Sequence, residues 1–416
     1  MKQIISLAGF IIVAAASCVR ADDWPQWNGR NRDGKSADTG LLAEWPATGP
    51  RLAWKATGFG KGYSTTSVAG DRLYTMGDKA DAGWVVAAST DGGKILWSAK
   101  VGAPGSPGMP GYDFPGPRST PTVDGNLIFA LDPWGELICV NAADGKERWR
   151  RSLVKDLGGT PPTWGYSESP LVDGEQVVVT PGGPKGALAA LNKKTGELIW
   201  QSKEFTDAAH YSSIVPTEIG GMRQYVQLTP ASVAGISAKD GSVLWKALRQ
   251  GAIAVVPTPV VAGNEVYVTS GYGAGCSFFK VTMTDGKFSA DRVYANHVMV
   301  NHHGGVVRVG DYIYGYSDGK GLTCQNARTG AALWAEKAAI NKGSASYADG
   351  KLYCREEDTG TVVLVDAVSG GYTEKGRFKQ PDRAEEKAWS HPVIANGKLY
   401  IRDQDLLLCY DIKAGQ

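Results

Sequence analysis

The chain has 416 residues, 43% of them hydrophobic, with 44 Lys and Arg against 42 Asp and Glu and a formal net charge of +2. A chain of this length can bury a large core, and its near-neutral balance excludes the basic footprint of a nucleic-acid-binding protein.

Lys2, the apolar stretch from Ile4 to Ala16 and then Val19-Arg20-Ala21 read as a secretory signal peptide over 1–21, cut after Ala21. The run is too short for a transmembrane helix. Lipoprotein processing at Cys18, after Ala16-Ser17, is a poorer match to the flanking residues. The expected location is therefore periplasmic or secreted, and no later segment is apolar enough to span a bilayer. Residues 22–50 read as an N-terminal extension and residues 51–416 as one repeat domain, expected to be a monomer. Without Lys2 and Arg20 the mature chain carries equal numbers of basic and acidic residues.

From residue 89 onward one pattern recurs, an Asn, Asp, Ser or Thr followed four residues later by Gly and, in most copies, four further on by Trp. The copies run Ser89 to Gly93 to Trp97, Asn141 to Gly145 to Trp149, Asn192 to Gly196 to Trp200, and Ser237 to Gly241 to Trp245. Thr282 to Gly286 follows, with Ala290 in place of the Trp, then Asn326 to Gly330 to Trp334, then Asp366 to Gly370 with Glu374 in that place. The eighth copy starts at Asp411 and reaches Gly415. Each Gly supplies the positive φ of a hairpin turn between alternating apolar strands. A second turn precedes each copy, as at Asp124-Gly125, Asp173-Gly174, Gly263-Asn264, Gly310-Asp311, Asp349-Gly350 and Asn396-Gly397. Two hairpins per repeat make a four-stranded antiparallel unit of roughly 40 to 50 residues, the size of a β-propeller blade. The fold predicted is all-β, an eight-bladed propeller of four-stranded antiparallel blades.

The last copy lacks its outer strand. Leu52-Ala53-Trp54-Lys55 is similar to Leu244-Trp245-Lys246, so the N-terminal strand is predicted to complete the C-terminal blade and close the ring. The repeated Trp residues are expected between blades, where they bury large area. Cys139, Cys324 and Cys409 recur at one repeat position, so they and Cys276 and Cys354 are expected to be buried free thiols.

Strand order places the inner-strand starts and the loops between blades on one face. Arg118-Ser119-Thr120, Ser167-Glu168-Ser169, Tyr211-Ser212-Ser213, His302-His303 and Trp389-Ser390-His391 fall at such starts, with His210 just before one. The same face receives Asp318-Gly319-Lys320, Glu356-Glu357-Asp358 and Asp403-Gln404-Asp405, and loops on a rigid ring are where binding concentrates. Two readings stay open here: a solvated channel mouth that satisfies its own polar groups, or a ligand pocket of convergent side chains. The ligand-binding candidates are Arg118, Ser167, Glu168, His302, His303, Asp318, Trp389, His391 and Asp405. Adjacent His302 and His303 point to opposite faces of a strand and cannot share one metal ion without a bulge, so no metal site is expected from them.

The pattern Ala190-x-Asn192-x-x-Thr195-Gly196-x-x-x-Trp200 resembles the tryptophan-docking motif of quinoprotein-type propellers, and Asp23-Trp24-Pro25-Gln26-Trp27 resembles the opening of secreted bacterial proteins with pyrroloquinoline-quinone-like repeats. That superfamily holds quinone-dependent alcohol dehydrogenases and a non-catalytic outer-membrane assembly lipoprotein that binds partner proteins. The resemblance implies either a scaffold binding a protein or small-molecule ligand at the top face, or a pyrroloquinoline-quinone dehydrogenase of alcohols or sugars. In the second case calcium would accompany the quinone, with Glu168, Asn301 and one of Asp318, Asp403 or Asp405 as oxygen donors. The adjacent cysteine pair that covers the quinone in such enzymes is missing, as is any Cys-x-x-Cys-His motif, so the non-catalytic reading is preferred. Carbohydrate binding through Tyr63, Trp134, Trp164, Tyr166, Tyr272 and Trp389 is a third possibility.

Overall fold

A computed structural model of the protein describes residues 23–109, 114 and 116–415. The expected signal peptide and Cys18 lie outside these. Thirty-two strands and no α-helix form among the described residues, in eight four-stranded sheets. Blade 1 runs from the inner strand Ser67–Ala69 to the outer strand Ile95–Gly102, and blades 2 to 7 follow in chain order. Blade 8 takes Val393–Ala395, Lys398–Asp403 and Leu406–Asp411 from the C-terminal end and its outer strand, Arg51–Ala56, from the N-terminal end. Trp54 faces Cys409 and Lys55 faces Leu408 in that antiparallel pair, so the ring closes as the sequence predicts.

The core is distributed over the blade seams. One buried cluster joins Phe129 and Leu137 of blade 2 to Val177 and Leu191 of blade 3, and comparable clusters occupy the other seams. Docking tryptophans cross them. The Nε1 of Trp97 donates to the Ala142 carbonyl of the next blade, Trp149 to Lys193 and Trp200 to Ala238. The motif Gly has a second role beside its positive φ: a Cβ at Gly145 would lie 2.5 Å from the Trp97 ring. Only a residue without a side chain lets the indole lie flat on the turn.

Where the Trp is missing, another ring occupies the seam. In blade 5 the outer hairpin is longer, with strands Gly275–Thr284 and Lys287–Asn296, and Tyr294 rather than Ala290 docks on the next blade. Its hydroxyl donates to the Ala327 carbonyl at 2.6 Å and its ring covers Gly330. Beside Glu374, Trp45 of the N-terminal extension packs between Tyr353 and Phe378 of blade 7 and Ile394 and Tyr410 of blade 8. Trp245 departs from the pattern in the other direction: it is buried in its seam but donates to Gln224 of its own blade. All five cysteines among the described residues are buried and free.

The axis of the ring is filled. The N-terminal extension enters from the face of the Gly turns, where the Asp23 carboxylate accepts from the Gly70 amide, and forms a hairpin inside the channel. Trp24 pairs with Val68 of blade 1, and the Pro25 carbonyl accepts from Val123 of blade 2. The Arg32 guanidinium donates to Ser169 and Pro170 of blade 3 and to Ile214 of blade 4, and Trp27 Nε1 donates to Thr258 of blade 5 at 2.9 Å. Gly34 lies against Val307 of blade 6, Ser36 bonds Tyr347 of blade 7, and Asp38 accepts from Gly397 of blade 8. One segment thus touches every blade and plugs the axis below the mouth.

Candidate functional site

Above the plug, the segments leading into the inner strands surround a cavity of about 550 Å³. Blade 1 contributes Tyr63, blade 2 Arg118, blade 3 Ser167, and blade 4 Tyr211 and Ser213. Ile253 and Tyr272 come from blade 5 and its lead-in loop, His302 and His303 from blade 6, Lys342 and Glu357 from blade 7, Trp389 and His391 from blade 8. Loop residues Phe114 and Trp164 close the wall, and Trp27 from the plug lies beneath. A cavity with mainly aromatic walls and a few convergent polar groups is the usual form of a small-ligand site.

Its polar side centres on Glu357. One carboxylate oxygen meets His303 Nε2 at 2.6 Å and accepts from Trp389 Nε1 at 2.7 Å, and Lys387 stands 3.8 Å from the other oxygen. Burial would raise this carboxyl, but the hydrogen bonds and nearby cations outweigh it and hold Glu357 at about 2. Burial acts the opposite way on the imidazoles, lowering His302 and His391 to about 3, so both are neutral at physiological pH. The His391 Nε2 lies 3.3 Å from the His303 carbonyl, and its ring is 4.6 Å from that of Trp27, tilted by 54°.

The opposite wall carries Arg118. Its guanidinium donates to the carbonyls of Trp164 and Phe114 and lies over the Tyr63 ring, 5.6 Å from the centroid. No carboxylate among the described residues pairs with it. Burial lowers it to about 10, so it stays charged. Nearby aromatic contacts are close, with Tyr63 and Phe114 at 4.6 and 4.8 Å from Trp389. Ile253 stands at the rim, 63% exposed and with φ of 33°, a left-handed conformation that a β-branched residue adopts only under constraint.

Of the sequence candidates, Arg118, Ser167, His302, His303, Trp389 and His391 line the cavity, and Tyr63, Trp164 and Tyr272 join them. The others lie elsewhere, which corrects their expected convergence. In the segment leading into the inner strand Leu171–Asp173, Glu168 turns away from its neighbour Ser167 and into blade 3, where it is buried and accepts from the backbone N–H and hydroxyl of Thr180. Asn301 spends its amide protons on the carbonyls of Gly305 and Tyr316, also away from the cavity. Asp318, outside the lining, pairs with Lys342 at 3.3 Å, and Asp405 accepts from the amides of Gly58 and Gly60. Asp403 is buried against Arg383 and Gln380. These donors therefore do not assemble a calcium-held quinone site, and among the described residues no three His, Cys, Asp or Glu side chains gather for a metal ion. Trp134 and Tyr166 of the carbohydrate reading also lie outside the lining: Trp134 donates to Pro104 and buried Tyr166 to Pro181.

Sequence reasoning missed Trp27, Lys342 and Glu357. Glu357 fell within a turn assigned to the correct face, but nothing in Glu356-Glu357-Asp358 singles out the middle carboxylate. Trp27 precedes the repeats, so no register places it.

The sequence profile of the family described as outer membrane protein assembly factor BamB matches residues 81–336, more than half of the chain. The chain is 26% identical over 290 residues to outer membrane protein assembly factor BamB of Burkholderia pseudomallei, covering 66% of this chain and 68% of that protein. It is 35% identical over 101 residues to quinohemoprotein alcohol dehydrogenase ADH IIB of Pseudomonas putida, covering 24% of this chain and 14% of the enzyme. The solved quinohemoprotein alcohol dehydrogenase of Comamonas testosteroni superposes with a TM-score of 0.67 at 13% identity, over 99% of this chain and 83% of that one. At that identity the likeness is one of fold.

Proposed function

The chain belongs to the family of outer membrane protein assembly factor BamB, and we propose that it is an exported scaffold that binds a ligand at its mouth cavity without turning it over. The ligand has an apolar, ring-bearing body and an anionic group, either free or presented by a partner protein. One observation carries this reading. Arg118 is a charged guanidinium in an aromatic wall with no carboxylate pairing it among the described residues, so an incoming anion would neutralise it at short range.

The histidines support binding over catalysis. His302 and His391 are neutral donors and acceptors, and His303 is held through Nε2 by Glu357. The plausible enzymatic alternative, a quinone-dependent dehydrogenase, rests on the partial likeness to such enzymes. It lacks the converging oxygen donors described above.

Fluorescence titration with two probes tests the proposal. The anion 8-anilinonaphthalene-1-sulfonate should bind the mature protein with one-to-one stoichiometry, and Arg118→Met should weaken it roughly tenfold. The neutral N-phenyl-1-naphthylamine should lose little. Equal loss of both probes would remove the anion assignment. Dye-linked oxidation of alcohols or aldoses by protein supplied with calcium and pyrroloquinoline quinone would replace the non-catalytic reading with the enzymatic one.

A further inference from the structure

An eight-bladed ring leaves a wide axial hole, and the inner strands here do not fill it with their own side chains. The N-terminal hairpin does, and its tip is built for the purpose. Asn28, Gly29, Arg32 and Gly34 all have positive φ, so the chain reverses within a few residues. The Gly29 amide donates to the Gln26 carbonyl and the Gly34 amide to that of Asn28. At Gly29, which has φ of 78°, a Cβ would lie 3.1 Å from the Lys35 carbonyl oxygen and 3.2 Å from the Trp24 ring, so a side chain there would crowd the reversal. The result presents Trp27 upward into the cavity and sends Arg32 sideways into the ring wall.

From this geometry we infer that Trp27 is a specificity-determining residue of the mouth site and that Arg32 positions it. The inference rests on the ligand-binding reading above. Among the described residues, Trp27 is the one lining residue that belongs to no blade and to no loop between blades. Its indole is fixed at Nε1 by Thr258 and packs against the tilted ring of His391. His391 in turn reaches the His303 carbonyl, and His303 holds Glu357. Moving the indole therefore changes both the depth of the cavity and the support of its polar wall.

Arg32 controls whether the indole can move. It is fully buried, and its guanidinium is shared among three backbone carbonyls on two adjacent blades and the Gln26 side chain. Losing it would leave those carbonyls unpaired in the ring wall and free the hairpin tip to shift along the axis. The blades then form the wall of the site, while a segment outside the repeats sets its floor.

The mature full-length protein and five variants, titrated with 8-anilinonaphthalene-1-sulfonate and melted in parallel, test this. Trp27→Ala should raise the dissociation constant roughly tenfold or more, because a stacking face is lost and the floor drops. Trp27→Phe, which keeps a ring, should stay within about threefold. Thr258→Val removes only the hydrogen bond to the indole and should weaken binding a few-fold, with increased acrylamide quenching of tryptophan fluorescence. Trp334→Ala, in a seam far from the mouth, should lower the melting temperature and leave the probe constant unchanged. The inference is overturned if Trp27→Ala binds like wild type, or if Trp334→Ala weakens the probe as much as Trp27→Ala does. Arg32→Met should reproduce the Thr258→Val quenching more strongly, and a folded Arg32→Met protein with wild-type quenching would remove its positioning role. Wild-type protein that binds no probe would sink the ligand reading itself, which the Trp27 result alone does not.

Discussion

The seams between blades and the mouth above the axis are built on opposite principles. Each seam solves one packing problem with an aromatic ring, laid on the glycine turn of the next blade at five of the eight, and the device survives changes in its origin. Trp97, Trp149 and Trp200 come from the motif, Tyr294 comes from four positions beyond the degenerate Ala290, and Trp45 comes from outside the repeats. At the mouth the backbone repeats but the side chains do not. Tyr63, Arg118, Ser167, Ser213, His303, Lys342 and His391 sit at comparable places on different blades and range over phenol, cation, hydroxyl and imidazole, with no one type kept around the ring. Where a repeat protein keeps a residue type it is holding its blades together, and where it abandons the pattern at a fixed backbone position it is free to specify a ligand.

The largest test of the seam side is removal of its closure. Deleting residues up to Lys55 takes away the outer strand of blade 8 together with the hairpin in the axis, exposing the edge of Leu406–Asp411. The expected outcome is aggregation, or a melting temperature lower by several degrees or more. Deleting only residues 23–36 should leave the ring closed. Size-exclusion chromatography and thermal melts of both truncations would expose the error if they behaved alike.

Next in size are single rings at the seams. Trp200→Ala should cost about 3–5 kcal/mol through the cavity it leaves, and Trp45→Ala should cost a comparable amount although it lies outside every repeat. Urea denaturation measures both. A Trp45→Ala protein as stable as wild type would mean that blades 7 and 8 do not depend on the extension, and the contrast between seams and mouth would lose its generality.

This contrast also explains what could be read from the chain. The Gly of each turn and the Trp four residues on recur because hairpin sterics and seam packing demand them, so blade number, strand order and closure were all legible. The mouth was legible as a place, since strand order alone brings Arg118, His303 and His391 to one face. Its membership was not. Facing in or out depends on where alternation starts after each loop, and that register separates Ser167 in the cavity from Glu168 in the wall. Long-range placement hid the rest: Trp27 acquires its role through Thr258 and His391, and through the Ile214 carbonyl that Arg32 reaches, all distant in the chain.

Glu168 offers the smallest effect and the finest division between the two regions. Burial raises its carboxyl to about 7, partly offset by the hydrogen bonds from Thr180 and by the charge of Arg32, against an ordinary value of 4.5. A carboxyl raised in the folded state holds its proton there after the unfolded chain has released it. Stability from this group is therefore greatest below pH 4.5 and declines as pH rises toward 7, by about 3 kcal/mol at most. Asp132, also raised to about 7 by burial, adds a slope of the same sign, while the buried neutral His302 and His391 oppose it. The difference between wild type and Glu168→Gln isolates the one group. Glutamine is uncharged throughout, so the variant should gain stability relative to wild type as pH rises from 4.5 to 7, measured by urea denaturation across that range. It should also bind 8-anilinonaphthalene-1-sulfonate with an unchanged constant, because Glu168 belongs to the wall of blade 3. Parallel stability profiles would show that the carboxyl is already ionised when folded, and a weakened probe would return Glu168 to the site from which its contacts with Thr180 remove it.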